Sequence, residues 1–125
     1  MLLAFPVVEP NKEDLLKSNV SEHFGMAKFF VFVEVGEGKS RYEVRNVFSI
    51  EICRKEEGMC TPVQVLFERK PDKVVVKGIG FKAANTLRAG NINILSCGNF
   101  STIEECLNNL DSLDNLSDED VCMHK

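Results

Sequence analysis

Apolar residues fall along this chain in short runs separated by turn residues, a pattern of strands and short helices. Leu2 to Val8 is an apolar run stopped by Glu9-Pro10, as expected of a buried first strand. Asn11 to Lys17 has the make-up of one capped helical turn. Beyond the polar-aromatic connection Ser21-Glu22-His23-Phe24-Gly25, the segment Phe29 to Val35 is too β-branched and aromatic to be anything but a strand. Gly36-Glu37-Gly38-Lys39 closes a hairpin into a third strand over Arg41 to Ile50. There the even positions Tyr42, Val44, Phe48 and Ile50 carry most of the apolar side chains, which predicts one less buried face and antiparallel pairing with the second strand.

After the loop Glu51 to Cys60 the pattern turns to alternating helix and strand. Thr61-Pro62-Val63-Gln64 supplies an N-cap threonine, a proline at the first helical position and a glutamine at the third, so a helix starts here and ends at Pro71. Val74-Val75-Val76 is a continuous apolar run of the kind found in parallel strands covered on both faces. Gly78-Ile79-Gly80 turns into a second helix closed by Gly90, and Ile92 to Leu95 forms the last strand. Ser101-Thr102-Ile103-Glu104 reads as a capping box, and Ile103, Cys106, Leu107 and Leu110 give the third helix its buried stripe. Asp111 to Lys125 is acidic and weakly patterned, a tail or a loosely docked turn. The order βββαβαβα implies a three-layer α/β domain on a mixed sheet over residues 1–110, followed by an acidic tail over 111–125.

Composition narrows the function. A chain of 125 residues, 44% hydrophobic and 27% charged, fits one domain with a core that needs neither disulfides nor a structural metal. Fifteen basic against nineteen acidic residues, a net charge of -4, lacks the footprint of a general nucleic-acid binder. No apolar stretch approaches the roughly 20 residues of a membrane span. The opening Met1-Leu2-Leu3-Ala4-Phe5-Pro6 lacks the flank and cleavage site of a signal peptide, so a cytoplasmic protein with no membrane partner is expected. Five cysteines at irregular spacing fit reduced thiols or metal ligands better than a disulfide framework. The sequons at Asn19, Asn99 and Asn115 are then chance matches.

Several chemistries can be set aside. Two-metal nuclease catalysis needs clustered carboxylates beginning on the first strand, and Leu2 to Val8 has none; Glu34 and Glu43 are expected to face solvent. No Gly-x-Ser-x-Gly elbow accompanies His23, the one histidine ahead of the tail. Gly78-x-Gly80-x-x-Ala83 satisfies a relaxed dinucleotide fingerprint, but Gly98-Asn99-Phe100 stands where its acidic residue belongs. Those glycines also have a plain reading as a tight turn. Cys53 and Cys60, six residues apart, match no standard zinc or iron-sulfur spacing; Cys60, just before a helix start, is the more plausible thiolate. Cys97 and Cys106 read as small core residues, and Cys122 and His124 as a weak pair in the tail.

Three segments together carry a resemblance: the N-terminal strand, Ser21-Glu22-His23-Phe24-Gly25 leading into a hydrophobic strand, and Val76-Lys77-Gly78-Ile79-Gly80 with Ala83, Ala84 and Leu87 on the helix that follows. The chain resembles the nitrogenase iron-molybdenum cofactor biosynthesis (dinitrogenase accessory factor-like) family over roughly its first 110 residues. Its departures are Lys77 and Phe81, where members usually have Gly and often Pro. The resemblance implies a ribonuclease-H-like motif with a mixed five-stranded sheet in which only the second strand is antiparallel. It also implies a non-enzymatic carrier of an iron-sulfur or molybdenum-iron-sulfur cluster, with cluster donor and acceptor proteins as partners and a monomer or weak homodimer as its state. That topology would gather His23, Cys53, Cys60, the Gly78 to Gly80 turn and Cys97 at the sheet edge where open α/β folds bind ligands. Unpaired helix N–H groups and the cations Arg54, Lys55, Lys77 and Lys82 would attract an anionic cluster there. Ser21, His23, Phe24, Gly25, Gly78, Gly80 and Lys82 become the candidate cluster-binding residues, and His23, Cys53 and Cys60 the candidate metal ligands. Two other readings stay open: a metal-free interaction or regulatory protein, favoured by an exposed Phe24 or Phe81 patch, and a thiol switch through Cys53 and Cys60.

Overall fold

A computed structural model of the chain describes residues 1–37, 42–52, 62–113, 115 and 121–122. Its elements are β1 (Leu2–Val7), β2 (Phe29–Glu37), β3 (Tyr42–Glu51), α1 (Pro62–Arg69), β4 (Lys73–Val76), β5 (Ile79–Gly80), α2 (Phe81–Ala89), β6 (Asn93–Ser96), α3 (Ile103–Asn108) and β7 (Val121–Cys122). Single 3-10 turns lie at Leu15–Lys17, Phe24–Met26 and Leu110–Ser112.

Five strands form one mixed sheet in the order β3-β2-β1-β4-β6, with β2 antiparallel to both neighbours and β1, β4 and β6 parallel. The all-apolar β1 is therefore the middle strand. Alternation along it divides the core. Leu3, Phe5 and Val7 join Val31, Val33, Val75 and Leu95 on the face covered by α3, while Ala4 joins Phe30, Phe32, Val74, Val76 and Ile94 on the face covered by α1 and α2. The result is the three-layer, ribonuclease-H-like-type arrangement expected. The third strand is the sheet margin, with Val44 exposed and Phe48 and Ile50 half-buried.

Aromatic rings knit the α1/α2 face. Phe24, Phe30, Phe32 and Phe48 form a row with centroid separations of 5.7, 6.1 and 5.3 Å. Gly90 closes α2 as expected, yet its own φ is -88°, and the left-handed residue is Asn91 with φ 65°. Glycine is needed at 90 for a different reason: a Cβ there would run into the Phe67 ring of α1. The first helix ends at Arg69, before Pro71, through Lys70 in the left-handed region.

One sequence expectation changes. The capping box sits one residue later than read: the Thr102 hydroxyl accepts the Glu105 N–H at 3.2 Å, and Glu105 Oε1 accepts the Thr102 N–H at 3.1 Å. In this register Ile103 opens the helix, with Cys106 and Leu110 on the same buried stripe. Bonds donated to its carboxylate by the Thr102 N–H and hydroxyl hold Glu105 below the ordinary glutamate range, so the box is intact at neutral pH and is lost as pH falls through that lowered value. The tail also has a place: β7 pairs in parallel with β5, and Asn115 bridges to Leu95.

Removing the Phe30 ring should lower stability by about 3–5 kcal/mol, read as a shift of the urea midpoint. Thr102→Ala should cost about 1 kcal/mol, and Ser101→Ala less than about 0.5 kcal/mol. The reverse order in the same denaturation series would return the cap to Ser101.

Candidate functional site

The parallel strands and β3 run the same way, so their C-terminal ends and the start of β2 share one edge of the sheet. The Ser21 to Gly25 segment lies across this edge. Ser21 is 4% exposed; its N–H donates to the Pro6 carbonyl at 2.7 Å, just short of the end of β1, and its hydroxyl donates to the His23 carbonyl at 2.7 Å. Phe24, 2% exposed, anchors the segment against Phe30. Its N–H donates to the Gly78 carbonyl at 2.7 Å, joining the segment directly to the glycine turn after β4. With its neighbours so fixed, His23 stands exposed at the head of the 3-10 turn and makes no side-chain cap bond there.

The glycines of the two segments have a telling geometry. Gly25 and Gly80 both lie outside the left-handed region, and a Cβ on either would meet nothing within 4 Å. Neither backbone conformation nor packing within the described residues requires glycine at these two positions, so the tight-turn explanation does not account for Gly80. Gly80 is the N-cap of α2 and offers no side chain to its first N–H groups, which face the end of a helix dipole. Both positions leave room for something to approach the backbone closely.

Charge at this edge is mixed. Lys82 is exposed on the first turn of α2. Lys77 is ion-paired with Glu22 at 3.3 Å, and so is less available than its sequence position suggested. Phe81 and Met26 are both large and exposed, 52% and 64% respectively, whereas Phe24 is buried. Arg54, Lys55, Cys53 and Cys60 lie outside the described residues, so their part in the site rests on the sequence.

Cys97 follows β6 at this edge but turns away from it, into the α3 face. It is fully buried, donates to the Phe100 carbonyl at 3.0 Å and lies 3.2 Å from the buried Cys106 sulfur. Among the described residues no group of three or more His, Cys, Asp or Glu side chains could hold a metal ion. What sequence reasoning missed is the return of the tail: β7 puts the backbone of Cys122 in register with Gly80. The signal was Val121-Cys122, an apolar pair in an otherwise acidic stretch. At the opposite sheet edge, an open groove of about 820 Å³ is lined by Phe67, Lys70, Asp72, Lys73 and Asn91, but Asp72 is committed to the Leu2 N–H. Among the described residues no helix is long and apolar enough to cross a membrane.

A mixed five-stranded sheet with helices on both faces defines the chain as a small three-layer α/β domain. By sequence the chain belongs to the family described as dinitrogenase iron-molybdenum cofactor, whose profile matches residues 7–113. Its structure is similar to that of PH0822, 26% identical, with a TM-score of 0.70 over 94% of this chain and 98% of that one. It shares its fold with the Thermotoga protein TM1290, assigned to the DUF35 family, at 21% identity and a TM-score of 0.64 over 92% of each chain. The apo form of the orange protein from Desulfovibrio gigas likewise shares the fold, at 18% identity and a TM-score of 0.70 over 93% and 92% of the two chains. No curated protein sequence is similar enough to count as a relative.

Because a Cβ at Gly25 would meet nothing within 4 Å among the described residues, Gly25→Ala should leave the melting temperature unchanged or slightly raised, by up to about 1 kcal/mol of stability. Ser21→Ala, which removes a buried hydroxyl from the His23 carbonyl, should cost about 1 kcal/mol. Thermal melts of the two variants beside the wild type test both.

Proposed function

We propose that this protein is a non-enzymatic carrier that holds an iron-sulfur or molybdenum-iron-sulfur cluster at the C-terminal edge of its sheet. The cluster would pass between donor and acceptor proteins in the cytoplasm, and the carrier would work as a monomer or weak homodimer. The observation that carries this reading is the Phe24 N–H to Gly78 carbonyl bond, which unites the His23 segment and the glycine turn in one rigid edge. Family membership supplies the class of cargo.

In this reading His23 is a ligand to metal through its exposed imidazole, and Cys53 and Cys60 are further ligands. Gly25 and Gly80 let the cluster lie against backbone, where the first N–H groups of α2 donate to its sulfur. Lys82 balances its negative charge, while Ser21, Phe24 and Gly78 hold the frame. One imidazole and two thiolates are too few donors for a whole cluster, so the cargo keeps most of its own sulfide ligands and is held in good part by hydrogen bonds and charge. Such a hold suits a carrier, because release then breaks few metal–protein bonds.

A second reading, a metal-free interaction protein, draws support from the exposed Phe81 and Met26. The two readings separate in one experiment. Protein purified anaerobically and incubated with iron, sulfide and molybdate should take up stoichiometric metal with visible absorption. His23→Ala and Gly25→Ala should each lose most of it while melting like the wild type. Retention of full colour in both variants would remove the His23 segment from the site, loss only in Cys53→Ser would move it to the cysteine loop, and no metal in any sample would favour the interaction protein.

A further inference from the structure

The carrier reading makes no use of Cys97 and Cys106, yet they form a close pair of nucleophiles. Their sulfurs are 3.2 Å apart and nine positions apart in sequence, one on the turn after β6 and one on α3. Both are free thiols, fully buried. A disulfide needs the sulfurs at about 2.05 Å, so they must close by little more than about 1 Å. At this separation the two thiols are hydrogen-bonded to each other, so their sulfurs already face one another inside the core.

We propose that Cys97 and Cys106 are an oxidisable dithiol, a site at which a small peroxide is reduced and an intramolecular disulfide is formed. Cys97 sulfur attacks a peroxide oxygen; the S–O bond forms, the O–O bond breaks, and the departing hydroxide takes up the Cys97 thiol proton and leaves as water, giving a sulfenic acid at Cys97. Cys106 sulfur then attacks Cys97 sulfur; the S–S bond forms, the S–O bond breaks, and the hydroxyl departs as the second water with the Cys106 proton. In sum, two thiols give up two electrons and hydrogen peroxide becomes two waters. A dithiol reductant reverses the change.

The order of attack follows from the surroundings. With the Cys97 hydrogen donated to the Phe100 carbonyl, the bond between the two sulfurs leaves Cys97 as acceptor and lowers its pKa; the Lys77 ammonium acts in the same direction. The same bond, together with burial, raises Cys106. Cys97 is therefore the first nucleophile and Cys106 the resolving one. Peroxide reaches Cys97 by way of its own turn, since Gly98 and Asn99 directly after it are exposed and Gly98 has φ 63°. Opening that turn breaks the Cys97 thiol bond to the Phe100 carbonyl, the Phe100 N–H bond to the Cys97 carbonyl and the Gly98 N–H bond to the Ser96 hydroxyl.

The pair also has a mechanical connection to the candidate site. The Ser101 carbonyl accepts the Val20 N–H at 2.9 Å, and the Ser18 carbonyl accepts the Ile103 N–H at 3.1 Å. The turn closed by the disulfide is thus stitched to the strand-like residues that lead into Ser21 and His23.

The test is peptide mapping of the full chain. Wild-type protein, reduced and then exposed to a few equivalents of hydrogen peroxide, is denatured in N-ethylmaleimide and digested with trypsin and a glutamyl endopeptidase. Cuts after Glu104 or Glu105 and after Glu119 put Cys97, Cys106 and Cys122 on three separate peptides. The expected product is a Cys97–Cys106 cross-linked pair that is lost on treatment with dithiothreitol. In Cys106→Ser, Cys97 should stop at the sulfenic acid and be trapped by dimedone. Recovery of both residues as maleimide adducts after peroxide, or a disulfide from Cys97 to any other cysteine, would overturn the proposal. Because the wild type alone gives that answer, a variant that fails to fold does not compromise it.

Discussion

Val74, Val75 and Val76 leave no side of their strand for water, and this double burial organises the molecule. A parallel strand with apolar side chains on both faces needs a helix layer on each: α1 and α2, in the connections that lead to β4 and β6, cover one face, and α3, which follows β6, covers the other. β1, apolar throughout, takes the centre beside it, with Ala4 in register with Val74. Once β1, β4 and β6 are parallel, their C-terminal ends have to lie together, and whatever follows each strand is delivered to the same edge. The site is thus a by-product of core burial.

Position alone does not make a binding surface, and backbone hydrogen bonds do the rest. The His23 segment could lie anywhere along an edge several strands wide. Pro6, Gly78 and the Ser21 hydroxyl pin it between β1 and β4. Phe24 locks it from below through the aromatic row that continues to Phe48. The protein therefore holds an exposed imidazole, two glycines with open space beside them and an uncapped helix start on a frame that is itself well buried. Rigid support under exposed polar groups suits recognition of a preformed ligand, since little ordering entropy is lost on binding.

Much of this was legible in the residues, for identifiable reasons. The five main strands and three helices follow from apolar periodicity and from Pro62, Pro71 and Gly90, because burial and backbone geometry act locally. The edge that collects His23 and Gly78 was accessible only through the family resemblance, since strand order is a non-local property. Other features escaped because two local patterns competed. Ser101 and Thr102 are both good caps with a glutamate three residues on, so the local pattern does not choose between them, and the fold uses Thr102 with Glu105. Gly90 looked like a left-handed terminator and instead makes room for Phe67. Nothing in the spacing of Cys97 and Cys106 indicated that a turn and a helix would bring their sulfurs together. The parallel pairing of β7 with β5 rests on two residues, too few for any periodicity.

The central claim is that the ligand-binding edge is formed jointly by the His23 segment and the glycine turn. Amide proton–nitrogen NMR correlation spectra of the metal-free protein and of an anaerobically reconstituted sample test it most directly. The account predicts shifts or broadening concentrated on residues 21–26 and 78–82, with the opposite edge around Lys70 and Asn91 unchanged. Changes confined to that opposite edge, or to one of the two segments without the other, would contradict it.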